Sequence, residues 1–184
     1  DASHAGSAFY ETPHIDALAA GGMRFPNGYA AAAVCSPSRG ALLSGKNPAR
    51  TKFTTVYSPP AGPDDRLHEK SKYQGSRHQY LEGLHRHALP STETLFAEPF
   101  QKAGYVTGYF GKWHTGECSG YYPDERGFQV AKGYRTRQVG TSRSGHWMQT
   151  FYEYGANLEG ADREAYVADV LTDECAKFIA ANRD

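Results

Sequence analysis

Residues 33–50 read AVCSPSRGALLSGKNPAR, and this stretch constrains the chain more than any other. A loop with Cys35 and Pro37 runs into an apolar segment that ends at Gly45, which predicts a glycine-capped helix. Unpaired backbone N–H groups and the helix dipole favour an anion at a helix start, so a thiolate at Cys35 is predicted to be stabilised. Arg39 follows one turn later and can reach back toward Cys35. The pattern predicts a nucleophile that faces an anionic substrate.

Two other interpretations of Cys35 follow from the residues. A phosphatase loop of the Cys-x5-Arg type is excluded, because the residue six positions after Cys35 is Ala41. A buried cysteine that only packs is the ordinary interpretation of a single cysteine before a helix. The longer sequence pattern around Cys35 argues against a cysteine that only packs.

The segments before this loop predict one helix and one extended piece. Thr12 is a suitable N-cap, Pro13 suits the first helical position, and Gly21 ends the helix. The residues that follow predict a short strand or extended segment with Met23 and Phe25 directed inward.

Further along the chain, helical and strand patterns alternate with loops. Residues 57–91 lack periodicity and predict a long surface excursion. A helix is predicted over 92–103, with Pro99 kinking it or delaying its start. Residues 105–110 predict a strand, and apolar residues at helical spacing predict a helix over 163–182. Residues between 115 and 160 are predicted to be rich in loops. The order predicts α/β layers.

A second motif follows the predicted strand and reads GYVTGYFGKWHTG. Lys112 and His114 alternate with Trp113, so in extended chain both polar side chains point to one side. Strand ends of open α/β sheets are places where functional sites form. Taken alone, these residues are as well explained by a surface lysine and a loop histidine.

Together the two motifs resemble the signatures of the type I, formylglycine-dependent sulfatases, Cys-x-Pro-x-Arg and Gly-Tyr-x-Thr-x-x-x-Gly-Lys-x-His. Phe110 is bulkier than the residue that usually precedes Gly-Lys in this family. The resemblance extends to the flanks FYETPHIDALAAGGMRFPNGYA, GKWHTGECSGYYPDERGF and LTDECAKFI. It implies an alkaline-phosphatase-like α/β/α sandwich that hydrolyses aryl or carbohydrate sulfate monoesters.

The resemblance also implies roles for individual residues. Cys35 is the residue converted to formylglycine, whose hydrate attacks the ester sulfur, while Pro37 and Arg39 direct the maturation enzyme. Lys112 contacts the formylglycine and sulfate oxygens, and His114 hydrogen-bonds the formylglycine hydroxyl. The implied partners are a sulfated small molecule or glycan and a formylglycine-generating or anaerobic maturating enzyme. The implied location is periplasmic, secreted or lysosomal.

The family also implies one calcium ion, bound by carboxylates and by residue 35 as formylglycine. The carboxylates of the family are not visible in the sequence. Asp1 is a poor match for one of them, and Asp64–Asp65 is better explained as a solvated turn. We therefore expect residues 1–184 to be the N-terminal part of a sulfatase domain, without its first strand and C-terminal portion. Alone, this part is expected to be inactive.

Composition excludes two classes of partner. The formal net charge is +0, which gives no electrostatic basis for binding nucleic acid or a membrane surface. Two rival functions remain open: hydrolysis of phosphonate monoesters or phosphodiesters by the same machinery, and a non-catalytic remnant that binds a partner or glycan.

Other residues that invite a functional interpretation have an ordinary one. His85 and His87 lack a third metal ligand at suitable spacing and predict a solvated loop. We expect Cys118 to be an incidental loop thiol and Cys175 to pack in the core. Sugar stacking and packing explain the aromatic residues equally well: Tyr121, Tyr122, Tyr134, Trp147, Tyr152 and Tyr154. Two interpretations are open for Arg135, Arg137 and Arg143: contact with an anionic glycan, and a solvated basic loop, which is the default.

Overall fold

The computed structural model describes residues 2–56, 85–116, 118–134, 158 and 165–183, which contain helices and a small parallel sheet. The chain divides into two units, Asp1–Ala30 and Ala31–Asp184. No helix within these described ranges has both the length and the apolar character needed to cross a bilayer.

The first unit contains a 3₁₀ turn at Ser3–Ala5 and helix α1 at Pro13–Gly21, which confirms the helix predicted there. The inward strand predicted after α1 is wrong. Met23 and Phe25 are 80% and 75% exposed. Gly28 donates its backbone N–H to the Phe25 carbonyl at 3.3 Å, so a turn follows Phe25 where extended chain was expected.

The second unit begins with the helix that the cysteine motif predicts. Helix α2 spans Cys35–Ser44, and Gly45 ends it with a φ of 67° while donating its N–H to the Ala41 carbonyl. Helix α3 follows at Pro48–Thr51, capped by the Asn47 side chain.

Proline determines where the next helix begins. Helix α4 spans Ala97–Lys102, five residues later than the predicted start at residue 92. Pro99 lies in its first turn, where a missing N–H costs no intrahelical hydrogen bond. The delayed start that this proline predicted is therefore confirmed.

Two parallel strands position the second motif. Strand β1 spans Gly108–Phe110 and strand β2 spans Val130–Lys132, with Tyr109 opposite Ala131. Strand β1 is shorter than the predicted 105–110, and β2 lies in the segment predicted to be rich in loops.

The last helix, α5, spans Val167–Ala181, within the predicted 163–182. It packs beside β1 through Phe178, whose ring centroid lies 5.5 Å from that of Phe110. Lys132 of β2 and Glu174 of α5 form an ion pair at 3.0 Å. These contacts hold the helix against both strands.

Aromatic side chains dominate the core of the second unit. Trp113 is completely buried, and its ring meets those of Tyr109 and Phe128 edge-on at 4.9 and 6.1 Å. Phe53 packs so closely against α2 that a Cβ on Gly40 would lie 2.8 Å from its ring. The core therefore extends from beneath α2 to the Lys112–His114 segment.

The predicted surface excursion is described only over its last residues. Residues 57–84 lie outside the described part of the chain. Ala88 and Leu89 are buried, and Leu89 donates its N–H to the Thr115 carbonyl at 2.8 Å. This end of the segment thus belongs to the core, because its apolar residues pack beside the second motif.

Two glycines with similar backbone angles allow a test of close packing. Gly127 has a φ of 90°, and a Cβ there would lie 2.9 Å from the Glu98 backbone nitrogen. Gly120 has a φ of 87° with nothing within 4 Å of its Cβ position. We expect Gly120→Ala to lower the free energy of unfolding by about 1–2 kcal/mol through backbone strain alone. Gly127→Ala should cost about 1–3 kcal/mol more, since α4 must also move.

Urea denaturation of both alanine variants measures the difference. Equal losses at the two positions would show that the approach of Gly127 to α4 contributes nothing beyond its backbone conformation.

Candidate active site

The two sequence motifs meet at one point of the structure. The Cys35 Sγ lies 3.3 Å from the Nδ1 of His114, although the residues are 79 positions apart. Cys35 is the first residue of α2, and both side chains are half-buried. The fold thus places a thiol and an imidazole within hydrogen-bonding distance at the start of a helix.

The backbone before Cys35 fixes this helix start. Val34 has an extended conformation, with φ −127° and ψ 160°, and its apolar side chain supplies no cap. The Ser38 hydroxyl instead donates to the Ala32 carbonyl at 2.7 Å, which holds the incoming chain against the first turn. A helix start favours an anion, and Cys35 lies at this position.

Arg39 connects the two motifs. Its Nη1 donates to the backbone carbonyl of Lys112 at 2.6 Å, and the same nitrogen lies 3.5 Å from the hydroxyl of Tyr109. Sequence reasoning foresaw a guanidinium that returns toward Cys35 and missed this attachment to Lys112. No sequence pattern indicates a bond to a backbone carbonyl 73 residues away.

The Lys112–His114 segment is held by its central residue. Trp113 is buried and donates its indole N–H to the Tyr121 carbonyl at 2.8 Å. His114 has a φ of 59°, a left-handed conformation that is uncommon for residues other than glycine. The segment is therefore a turn anchored by an inward tryptophan, with the imidazole directed to Cys35.

Burial and two nearby cations set the charge state of the imidazole. Burial, which has the largest effect, and the charges of Lys112 and Arg39 together lower the pKa of His114 to about 4. At neutral pH the imidazole is therefore uncharged, with one nitrogen donating and the other accepting. The cationic side chains that act on this imidazole are Lys112 and Arg39.

The described residues do not supply a complete metal site. Across these ranges, no three His, Cys, Asp or Glu side chains are grouped so that they could hold an ion. Asp1, Asp64 and Asp65 lie outside the described residues. The implied calcium ion, which requires several oxygen ligands, therefore does not fit the donors on the described part of the chain.

Several other sequence candidates prove to be core residues. Tyr121 and Tyr134 are 7% and 1% exposed, which favours packing over sugar stacking. Cys118 is half-buried against the aromatic core. His85 is buried where a solvated loop was predicted, with its ring centroid 5.1 Å from that of His87.

The remaining candidates are less informative. Cys175 is half-buried on α5, and the ring of Tyr122 lies 5.8 Å from that of Tyr134. Six candidates lie outside the described residues: Arg135, Arg137, Arg143, Trp147, Tyr152 and Tyr154.

Comparison with known proteins gives concordant results. A family model described as Sulfatase matches residues 2–184. Human N-acetylgalactosamine-6-sulfatase is 39% identical over 118 residues, which cover 64% of this chain and 20% of that protein. Human arylsulfatase G is 37% identical over 118 residues, covering 64% of this chain and 18% of that protein. The chain thus spans about a fifth of the length of these curated relatives.

A solved structure matches over a longer stretch. The crystal structure of Ps i-CgsB aligns with 98% of this chain and 38% of its own chain, at a TM-score of 0.65 and 21% identity. At this identity the likeness concerns the fold, and together with the family match it confirms the predicted alkaline-phosphatase-like α/β class.

Proposed function

Because the chain belongs to the sulfatase family, we propose that the protein hydrolyses sulfate monoesters, with Cys35, Arg39, Lys112 and His114 in its reactive centre. The observation that carries this proposal is the 3.3 Å approach of Cys35 Sγ to His114 Nδ1. It unites two motifs that are separate in sequence. The alternative of a cysteine that only packs does not account for its position at a helix start beside an imidazole.

Residue 35 is proposed to act after conversion from cysteine to formylglycine by a maturation enzyme. The surroundings of residue 35 suit a nucleophile, because the residue lies at a helix start and has an imidazole nitrogen 3.3 Å from its sulfur. A hydrated aldehyde supplies two hydroxyl groups on one carbon. The first attacks sulfur while the bond from sulfur to the ester oxygen breaks and the alcohol leaves. The second then loses its proton while the carbon–oxygen bond to the sulfate breaks, which releases sulfate and restores the aldehyde.

The neighbouring residues are proposed to bind and polarise the sulfate group. Lys112 and Arg39 are cationic side chains, and the charge of each lowers the pKa of His114. Preorganised cations of this kind stabilise negative charge that develops on transferring oxygens. His114, uncharged at neutral pH, is proposed to hydrogen-bond the hydroxyl of residue 35 and to accept or donate its proton.

Calcium is proposed as the cofactor on the family relationship alone. Among the described residues, residue 35 is the ligand that the resemblance assigns, and the carboxylates that a hard cation requires are not assembled there. We therefore assign no chemical step to the metal.

A sulfated carbohydrate is the proposed natural substrate class. This proposal is supported by the likeness to N-acetylgalactosamine-6-sulfatase. In an assay, an aryl sulfate replaces the natural substrate.

The test uses the full-length protein produced together with a maturation enzyme. We expect hydrolysis of an aryl sulfate to exceed hydrolysis of the matching aryl phosphonate ester. Mass spectrometry of the peptide that contains residue 35 should find an aldehyde in place of the thiol. A protein that favours the phosphonate ester would be a phosphonate hydrolase. An unmodified thiol with full sulfatase activity would refute the proposed nucleophile.

A further inference from the structure

We propose that Tyr109 is a positioning residue that holds Arg39 and the Lys112–His114 turn in their working arrangement. This inference rests on the proposed function, because it concerns the same centre. It assigns a role to a residue that neither sequence motif requires, since position 109 is variable in the signature Gly-Tyr-x-Thr-x-x-x-Gly-Lys-x-His.

The Tyr109 hydroxyl lies between the two motifs. It donates to the Lys112 carbonyl at 2.5 Å, and it is placed to accept from the Nη1 of Arg39 at 3.5 Å. Arg39 Nη1 donates to the same Lys112 carbonyl at 2.6 Å. The three groups form a closed triangle in which one backbone oxygen accepts from a phenol and from a cation.

The ring of Tyr109 fixes where its hydroxyl lies. Tyr109 belongs to β1, and its ring meets Trp113 edge-on at 4.9 Å and Phe128 at 5.2 Å. Such edge contacts orient aromatic rings in a core. The hydroxyl is thus carried on a side chain held by the sheet at one end and by the aromatic core along its length.

The protonation state of Tyr109 suits a donor. Burial raises the pKa of Tyr109, and the nearby Arg39 only partly opposes this. The phenol therefore keeps its proton at neutral pH and can donate to the Lys112 carbonyl.

The turn that receives this hydrogen bond has a demanding backbone. Gly111 and His114 both have left-handed φ values, 98° and 59°. Gly111 also donates its N–H to the Lys132 carbonyl at 2.9 Å, which ties the start of the turn to β2. The Lys112 carbonyl belongs to the peptide bond between Lys112 and Trp113, which lies between Gly111 and His114. A second hydrogen-bond donor to this oxygen therefore limits rotation of that peptide.

The test is Tyr109→Phe in the full-length, matured protein. This change keeps the ring and removes one hydroxyl. Loss of one hydrogen bond that orients a reacting group should lower kcat about tenfold while KM stays within about twofold of the original. Hydrogen exchange of the 111–116 backbone should become faster, and this readout does not depend on turnover.

Tyr166→Phe is the matched control. Tyr166 lies outside both motifs, just before α5, and its side chain is 56% exposed. We expect this variant to keep the original kcat and the original exchange rate over 111–116.

The outcomes separate this inference from the proposed function. If the original protein turns over sulfate esters and Tyr109→Phe matches it in kcat and exchange, the positioning role is wrong. A rise in KM at constant kcat would also overturn it, because that result indicates substrate binding instead. If the original protein has no sulfatase activity, the proposed function fails. In that case, an unchanged hydrogen-exchange rate over 111–116 in Tyr109→Phe would still refute the positioning role of Tyr109.

Discussion

Replacing Cys35 by alanine is expected to lower turnover of a sulfate ester by at least about 10⁴-fold, because the change removes the atom from which the nucleophile is made. The fold should survive the replacement. Cys35 is half-buried at the first position of α2, and alanine favours a helix more than cysteine does. Steady-state kinetics on an aryl sulfate, beside a circular dichroism spectrum, measures both effects.

Cys175→Ala provides the matched comparison. Cys175 is also a half-buried free cysteine, but it lies on α5. It should retain turnover close to the original value. Comparable losses in the two variants would indicate that cysteine replacement disturbs folding in general, and would remove the special role proposed for position 35.

Replacing Trp113 by alanine is expected to be the most destabilising change in the described core. The residue is completely buried, and its loss leaves a large cavity between Tyr109 and Phe128. Truncation of a buried tryptophan typically lowers the free energy of unfolding by about 3–5 kcal/mol. Turnover should fall as well, since Lys112 and His114 flank this anchor on either side.

Trp113→Phe separates packing from the indole hydrogen bond. Phenylalanine keeps most of the ring volume but cannot donate to the Tyr121 carbonyl. We expect a loss of about 1–2 kcal/mol in the free energy of unfolding, measured by urea denaturation. If Trp113→Ala were no less stable than Trp113→Phe, the tryptophan would not be the anchor of the turn.

Local signals in the sequence were sufficient for several elements. Gly45 ends α2 in the left-handed conformation that glycine adopts most easily, and Pro99 delays α4, both as predicted. Such effects act over a few neighbouring residues, so a sequence pattern contains them. The family resemblance was confirmed because both motifs and their order are visible without a structure.

Other features depend on contacts that no local pattern encodes. The bonds from Arg39 and Tyr109 to one backbone carbonyl arise only when α2 and β1 come together. Strand β2 is three residues long and is defined by its pairing with β1, not by its own pattern. The inward strand predicted around Met23 and Phe25 is wrong, because a turn follows Phe25.

Because Cys35 and His114 are far apart in the sequence, Cys35 is synthesised well before His114. A ribosome adds about 5–20 residues per second, so the 79 residues between the two positions take roughly 4–16 s to synthesise. During that interval the thiol exists without the imidazole that later faces it. A newly made chain therefore presents residue 35 to other molecules before its own fold has produced the side chain that covers it.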